Sequence, residues 1–136
     1  MKTKYCNIPT WAILVVFLFV ELLIFMAHPV EVQAAMRPIG TFKLTWYCPC
    51  RECSGSYGHE TSSGAYATEG RTIAVDTKVI PYGTRVYIEG YGEFVAEDTG
   101  GKWVQGNHID IFLEDHHICT DSEHGVKHRK VYVIND

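Results

Sequence analysis

Glycine and proline divide residues 41–134 into segments that are too short for long helices. In the first segment Phe42, Leu44 and Trp46 alternate with more polar neighbours, and this period of two predicts a β-strand. The intervening turn residues include Pro81 and Gly83, which suit a type I turn. The sequence therefore predicts six strands, at Thr41–Tyr47, Thr72–Val75, Thr84–Ile88, Phe94–Glu97, Ile109–Leu113 and Val131–Ile134.

Six strands in about 95 residues must close or form a sandwich to protect their edges, so the leading prediction is a small all-β barrel. Residues 48–67 are rich in Gly, Ser and Cys and show no periodicity, which predicts a long ordered loop. Residues 114–127 are the only candidate for a short helix.

An apolar run at residues 11–27, interrupted only by Glu21, precedes this unit. Together with Lys2, Lys4 and the small-residue cleavage site Val32-Gln33-Ala34, it is typical of a secretory signal peptide. An uncleaved membrane anchor is the alternative, since about 20 apolar residues span a bilayer. We expect residues 1–34 to be a signal peptide or membrane anchor, 35–40 a linker, and 41–136 one domain outside the cytoplasm.

The charge of the chain argues against nucleic acid as a partner. It has 12 Lys+Arg and 16 Asp+Glu, a formal net charge of −4, so no basic surplus is available to neutralise phosphates. The His-Glu-x-x-His and Gly-x-Ser-x-Gly motifs are absent from the sequence, which disfavours zinc proteases of that class and serine hydrolases. No cofactor is expected.

Three aspartates, Asp76, Asp98 and Asp110, lie inside or at the ends of predicted strands. Asp110 shares one face of its strand with His108 and Phe112, opposite the isoleucines of that strand. Taken singly, Asp76 and Asp98 are equally well explained as turn caps, and Asp110 as a solvated strand carboxylate.

Four cysteines of the predicted exported part are expected to have a structural role. Export permits disulfides, and four thiols allow three pairings. The Cys-Pro-Cys-Arg-Glu-Cys spacing is equally compatible with zinc, with the last cysteine or one of three histidines as the fourth ligand. Both interpretations stay open. The residues concerned are Cys48, Cys50, Cys53 and Cys119, with His116, His117 and His124.

An ordered series of motifs carries a family resemblance. The motifs are Ile73-Ala74-Val75-Asp76, Ile80-Pro81-Tyr82-Gly83-Thr84, Gly90-Tyr91-Gly92, Glu97-Asp98-Thr99-Gly100-Gly101 and Gly106-Asn107-His108-Ile109-Asp110-Ile111-Phe112. Together they resemble the three-aspartate (3D) domain family over about residues 41–134. The resemblance implies a six-stranded, RlpA-like double-psi β-barrel, similar to the catalytic barrel of membrane-bound lytic transglycosylase A.

The resemblance also implies site residues. The three aspartates of the family map to Asp76, Asp98 and Asp110, with Asp110 as the catalytic acid/base and Asp98 as a second catalytic carboxylate. The loop Lys102–Gln105 has four residues where the family usually has three. The positions expected to bind substrate or support the site are Asp76, Gly100, Gly101 and Asn107.

The implied activity is a peptidoglycan lytic transglycosylase that cleaves the MurNAc-β-1,4-GlcNAc bond and forms 1,6-anhydroMurNAc during cell-wall turnover. Two alternatives remain: a non-catalytic glycan-binding module, and a glycoside hydrolase that uses two carboxylates. The expected partner is the glycan strand of the cell wall of a Gram-positive bacterium. The membrane is a partner only through an uncleaved N-terminal segment.

Overall fold

The computed structural model describes residues 36–121 and 124–135. The predicted signal peptide or membrane anchor lies outside these residues. Across the described part of the chain, every helix is too short to cross a membrane.

The described residues form a mostly β unit whose elements follow the predicted order. All six predicted strands are confirmed, and so is a short helix within residues 114–127. A second helix of one turn begins the segment that we predicted as an ordered loop. The elements are β1 (Met36–Tyr47), α1 (Arg51–Ser54), β2 (Thr72–Val75), β3 (Arg85–Ile88), β4 (Gly92–Asp98), β5 (His108–Phe112), α2 (His116–Thr120) and β6 (Lys127–Ile134).

The six strands close into a ring in the order β1-β5-β2-β4-β3-β6, because β6 also pairs with β1. The β1–β5 and β2–β4 pairs are parallel, and the other four are antiparallel. Each of these strands therefore has two hydrogen-bonded neighbours, so none of them is an edge strand with a row of unpaired N–H and C=O groups. The all-β closed sheet agrees with the sequence, while the double-psi connection stays a prediction.

The start of β1 differs from the linker expected at residues 35–40. Met36 already pairs with Ile134, and Arg37 with Val133, in an antiparallel ladder with β6. The register shifts between Gly40 and Pro38, a residue that has no N–H to contribute to the ladder. This part of β1 is a strand because it pairs with β6, almost one hundred residues away. The local sequence does not indicate that pairing.

The core lies inside the ring and is formed by apolar side chains of all six strands, together with Ile80 from the segment between β2 and β3. Phe42 and Leu44 of β1 are fully buried, as is Ile109 of β5. Burial of each such side chain is worth about 1.5–3 kcal/mol, so this apolar interior is the main stabilising contribution. The core residues are Phe42, Leu44, Ile73, Val75, Ile80, Val86, Ile88, Phe94, Ala96, Ile109, Ile111 and Val131.

A buried carboxylate fixes the β2–β4 pair beside the end of β4. Glu97 is 7% exposed, and its Oε1 accepts from Nη2 and Nε of Arg71 at 2.6 and 3.0 Å. The Thr72 hydroxyl donates to the other carboxylate oxygen at 2.8 Å. These charge-assisted bonds compensate the burial of the carboxylate and hold the backbone that carries Asp98.

Candidate active site

A cavity of about 690 Å³ lies beside the ends of β1 and β4. Its lining includes Asp98 at the end of β4, Asp110 from the middle of β5 and Tyr47 at the end of β1. Gly100 and Gly101 line it as well. The structure thus brings together two of the three predicted aspartates with the predicted glycine pair.

Asp98 is held by four donors. The Tyr47 hydroxyl donates to Oδ2 at 2.9 Å. Oδ1 accepts from the backbone N–H and the hydroxyl of Ser62, both at 2.9 Å, and from the Thr99 N–H at 2.8 Å. An ionised carboxylate is an acceptor only, so this ring of donors suits a negatively charged Asp98 in a fixed orientation.

Asp110 lies in a different environment. It is half-buried, and its Oδ1 accepts from the Thr45 hydroxyl at 2.6 Å. Burial raises the pKa of Asp110 to about 6, the Thr45 hydrogen bond opposes the rise, and the nearby charge of Asp98 adds to it. A carboxyl group with this pKa keeps a proton over a pH range in which ordinary aspartates are ionised.

The parallel pairing of β1 with β5 positions the Asp110 side chain. Thr45 is the direct register partner of Asp110. On the far side of the same hydroxyl, Nε2 of His108 lies 2.9 Å from Thr45 Oγ1, while Nδ1 lies 3.0 Å from the Trp103 carbonyl oxygen. Burial lowers the pKa of His108, and the positive charge of Lys43 lowers it further, which favours a neutral imidazole.

Asp76 does not line the described cavity. Its Oδ1 accepts from the Lys78 N–H at 3.0 Å, and its Oδ2 accepts from the Gly106 N–H at 2.8 Å. These backbone bonds, that from Gly106 foremost, lower the pKa of Asp76. The aspartate caps the turn after β2 and fixes the end of the loop that leads into β5, as the turn-cap interpretation predicts.

The Gly100-Gly101 pair is required by close packing and by backbone conformation. A Cβ at position 100 would lie 1.9 Å from Cγ2 of Val104, a buried residue. Gly101 has φ +55°, a value that L-residues rarely adopt. Asn107 does not line the described cavity; its carbonyl oxygen accepts from the Lys43 N–H at 2.9 Å and so joins the residue before β5 to β1.

Exposed aromatic side chains border the cavity. Trp103 is 77% exposed and Tyr57 is 71% exposed, although both line the cavity wall. Trp103 comes from the loop Lys102–Gln105, and Lys102 Nζ lies over its ring, 4.7 Å from the ring centroid. Two aromatic rings at the rim of an open cavity are suited to stack on sugar rings.

The four cysteines and one histidine gather next to this cavity. The donor atoms of Cys48, Cys53, His116 and Cys119 all lie within 4.8 Å of one another, and the four thiols are free. Cys53 also lines the cavity. His116 is the histidine brought into this group by α2, one of the three that the sequence left as alternatives.

Sequence reasoning missed the partners that orient the two aspartates. The sequence by itself assigns no such role to Thr45, Ser62 or Tyr47. A threonine or serine gives no signal by itself. Thr45 follows from the parallel register of β1 with β5, and Ser62 from the fold of the loop over the end of β4.

Comparison with known proteins gives a family and more distant similarities. Residues 71–135 match the model of the 3D domain. The cell wall-binding protein YocH of Bacillus subtilis (strain 168) is 49% identical over 65 residues, which are 48% of this chain and 22% of YocH. The chain therefore spans less than a quarter of the length of that relative.

Two solved lytic transglycosylases are similar to 56% of this chain. MltA from Escherichia coli has a TM-score of 0.47 at 21% identity over 27% of its chain. LtgG of Burkholderia pseudomallei has a TM-score of 0.45 at 23% identity over 26% of its chain. Similarity at this level is too low to assign an activity.

Proposed function

Because this chain is a 3D domain protein over residues 71–135, we propose that it acts at the bacterial cell wall, outside the cytoplasm, as a peptidoglycan lytic transglycosylase. The proposed reaction cleaves the MurNAc-β-1,4-GlcNAc bond and leaves a 1,6-anhydroMurNAc end. The name of the relative YocH, a cell wall-binding protein, supports the cell wall as the partner of this chain.

The observation that carries the proposal is the contrast between the two carboxylates of the cavity. Asp98 is surrounded by four donors, whereas burial raises the pKa of Asp110 to about 6. When two neighbouring carboxyl groups have such different environments, one can stay protonated and act as the acid. The other can stay ionised and stabilise positive charge. Asp110 is therefore the proposed proton donor, and Asp98 the proposed anion.

The proposed mechanism needs one acid/base and no external water. Asp110 gives its proton to the glycosidic oxygen, the C1–O bond of MurNAc breaks, and Asp98 stabilises the positive charge that develops on the sugar. The C6 hydroxyl of the same MurNAc then bonds to C1 and returns its proton to Asp110. The carboxyl group ends in its starting state, so a single residue serves first as acid and then as base.

The hydrogen-bond chain behind Asp110 is compatible with a protonated acid. A neutral His108 has one N–H, and the Trp103 carbonyl can only accept, so Nδ1 is the protonated nitrogen and Nε2 can accept from Thr45. The Thr45 hydroxyl is then free to accept from a protonated Asp110. When Asp110 is ionised after the first step, the same hydroxyl can turn and donate to it. The Thr45 rotor can thus serve both protonation states.

Binding without cleavage is the second candidate function. The relative YocH is named for binding, and the exposed rings of Trp103 and Tyr57 would serve a bound glycan whether or not it is cut. A glycoside hydrolase is a third candidate, since that reaction also uses two carboxyl groups as catalytic residues.

Mass analysis of purified peptidoglycan incubated with the full chain tests the proposal. Released fragments with a 1,6-anhydro end, one water lighter than hydrolytic products, support the transglycosylase. Reducing ends support the hydrolase, and intact glycan that sediments with the protein supports the binding module. Asp110→Asn must lose the anhydro product. The matched control is Asp115→Asn, at an exposed helix N-cap where asparagine is as good a cap as aspartate.

A further inference from the structure

The cysteine cluster is built around one imidazole nitrogen. Nδ1 of His116 lies 3.4 Å from Cys48 Sγ, 3.3 Å from Cys50 Sγ and 3.8 Å from Cys53 Sγ. Cys119 comes from the same short helix as His116, and its sulfur also belongs to the group of donors within 4.8 Å of one another. Cys48 is fully buried and Cys119 is 8% exposed, so the cluster reaches into the protein.

We propose that Cys48, Cys53, His116 and Cys119 bind a structural zinc ion. With zinc–sulfur bonds of about 2.3 Å and zinc–nitrogen bonds of about 2.0 Å, a sulfur and a nitrogen on one tetrahedral ion lie about 3.5 Å apart. The observed nitrogen-to-sulfur separations of 3.4 Å for Cys48 and 3.8 Å for Cys53 bracket this value. These two separations therefore match a tetrahedral ion, and the Cys119 sulfur lies within 4.8 Å of the other donors.

The other nitrogen of His116 is positioned as in known zinc sites. Nε2 lies 3.4 Å from Oε2 of Glu52 in α1. Histidines that ligate a metal through one nitrogen usually donate the other N–H to a carboxylate, which fixes the tautomer and strengthens the ligand. Glu52 thus adds an observation that is independent of the sulfurs and that indicates a metal-facing Nδ1.

A disulfide explains this cluster less well than a metal. A disulfide uses two sulfurs and gives no role to the imidazole at the centre of the group. Three thiolates and a neutral imidazole instead form a complete Cys₃His set, which is a closed set of ligands typical of structural zinc. In the thiol form Cys119 donates to the His116 carbonyl at 3.3 Å, and metal binding would replace this weak bond with a coordinate bond.

The proposed ion would join two segments that are far apart in sequence. Cys48 directly follows β1 and Cys53 lies in α1, while His116 and Cys119 lie in α2, between β5 and β6. The chain that follows Cys53 forms one wall of the cavity, through Ser54 and Tyr57 among others, and continues to Ser62, which donates to Asp98. The ion would therefore hold the wall of the candidate active site in place without taking part in the reaction.

Metal analysis of the full 136-residue chain tests the zinc site without any glycan. We expect the chain, purified from zinc-supplemented medium in mild detergent and without chelator, to carry one equivalent of zinc. After chelation, Co²⁺ should restore the intense absorption of a tetrahedral thiolate site. Absence of zinc together with absence of this Co²⁺ spectrum would overturn the proposal, as would an intact mass that is two hydrogens lower and so indicates a disulfide.

Variants then test the ligand set. Cys48→Ser, Cys119→Ser and His116→Gln should lose zinc, and Glu52→Gln should weaken zinc binding by about 10-fold. His117→Gln, next to the proposed ligand on the same helix, and Cys50→Ser should keep the ion. Zinc retained by His116→Gln, or lost from Cys50→Ser, contradicts the assigned ligands. If a variant does not fold, the metal content, Co²⁺ spectrum and mass of the wild-type chain decide the question alone.

Discussion

Substitution of Asp110 by asparagine should stabilise the protein at alkaline pH while it strongly lowers turnover. Burial raises the pKa of this carboxyl from 3.8 to about 6. A pKa difference of one corresponds to about 1.4 kcal/mol in free energy. Ionisation of Asp110 therefore costs the folded state up to about 3 kcal/mol. Asparagine has nearly the same shape, cannot ionise and can still accept from Thr45.

The sign of the pH dependence follows from the raised pKa. The folded state binds this proton more tightly than the unfolded state does, so the stabilisation is complete below about pH 4. It is lost as the pH rises through about 6. As the pH rises from 4 to 8, the unfolding free energy of Asp110→Asn should therefore increase relative to that of wild type, by up to about 3 kcal/mol.

Urea unfolding at pH 4, 6 and 8, with Asp115→Asn as the control, measures this difference. The release of anhydro fragments, measured on the same samples, should fall by at least about 10²–10⁴-fold in Asp110→Asn. The wild-type rate should fall about tenfold per pH unit above the pKa, as the protonated fraction falls. A stability difference that does not change with pH, or a variant that still releases fragments at the wild-type rate, refutes the assignment of Asp110 as a buried acid.

Three further substitutions examine the surroundings of the site. Asp98→Asn keeps the shape but removes the charge, so turnover should drop strongly. Glycan binding, measured by sedimentation with peptidoglycan, should persist. A rate that is unchanged at every pH would exclude Asp98 from the mechanism. Gly100→Ala forces a Cβ onto Val104 and should lower the unfolding free energy by roughly 1–3 kcal/mol, whereas an unchanged thermal midpoint means that the loop adapts freely. Arg71→Met leaves the buried Glu97 carboxylate without its cation and should lower the free energy of unfolding by roughly 1–3 kcal/mol. In a double-mutant cycle, adding Glu97→Gln should recover part of this loss. Independent, additive effects in that cycle would contradict the coupling.

The sequence by itself determined the local elements of this protein. Alternation of apolar and polar residues predicted β1, and short segments bounded by turn residues predicted the other five strands, because both signals lie within a few neighbouring residues and need no distant partner. The glycine and proline turns between the strands followed in the same way from backbone conformation. The ordered motifs predicted the 3D domain family, which residues 71–135 match, and the resemblance implied that Asp98 and Asp110 are site residues.

Only the tertiary structure decided which residues meet. The register of β1 with β5 puts Thr45 beside Asp110 although they are 65 residues apart. Likewise, α2 carries His116 to cysteines that lie 63 to 68 residues earlier in the chain. Such contacts depend on how strands far apart in sequence choose their neighbours, and that choice minimises the exposed edge and apolar surface of the whole ring. A local pattern contains no information about it, so the aspartates were visible in the sequence and the environment that sets the pKa of Asp110 was not.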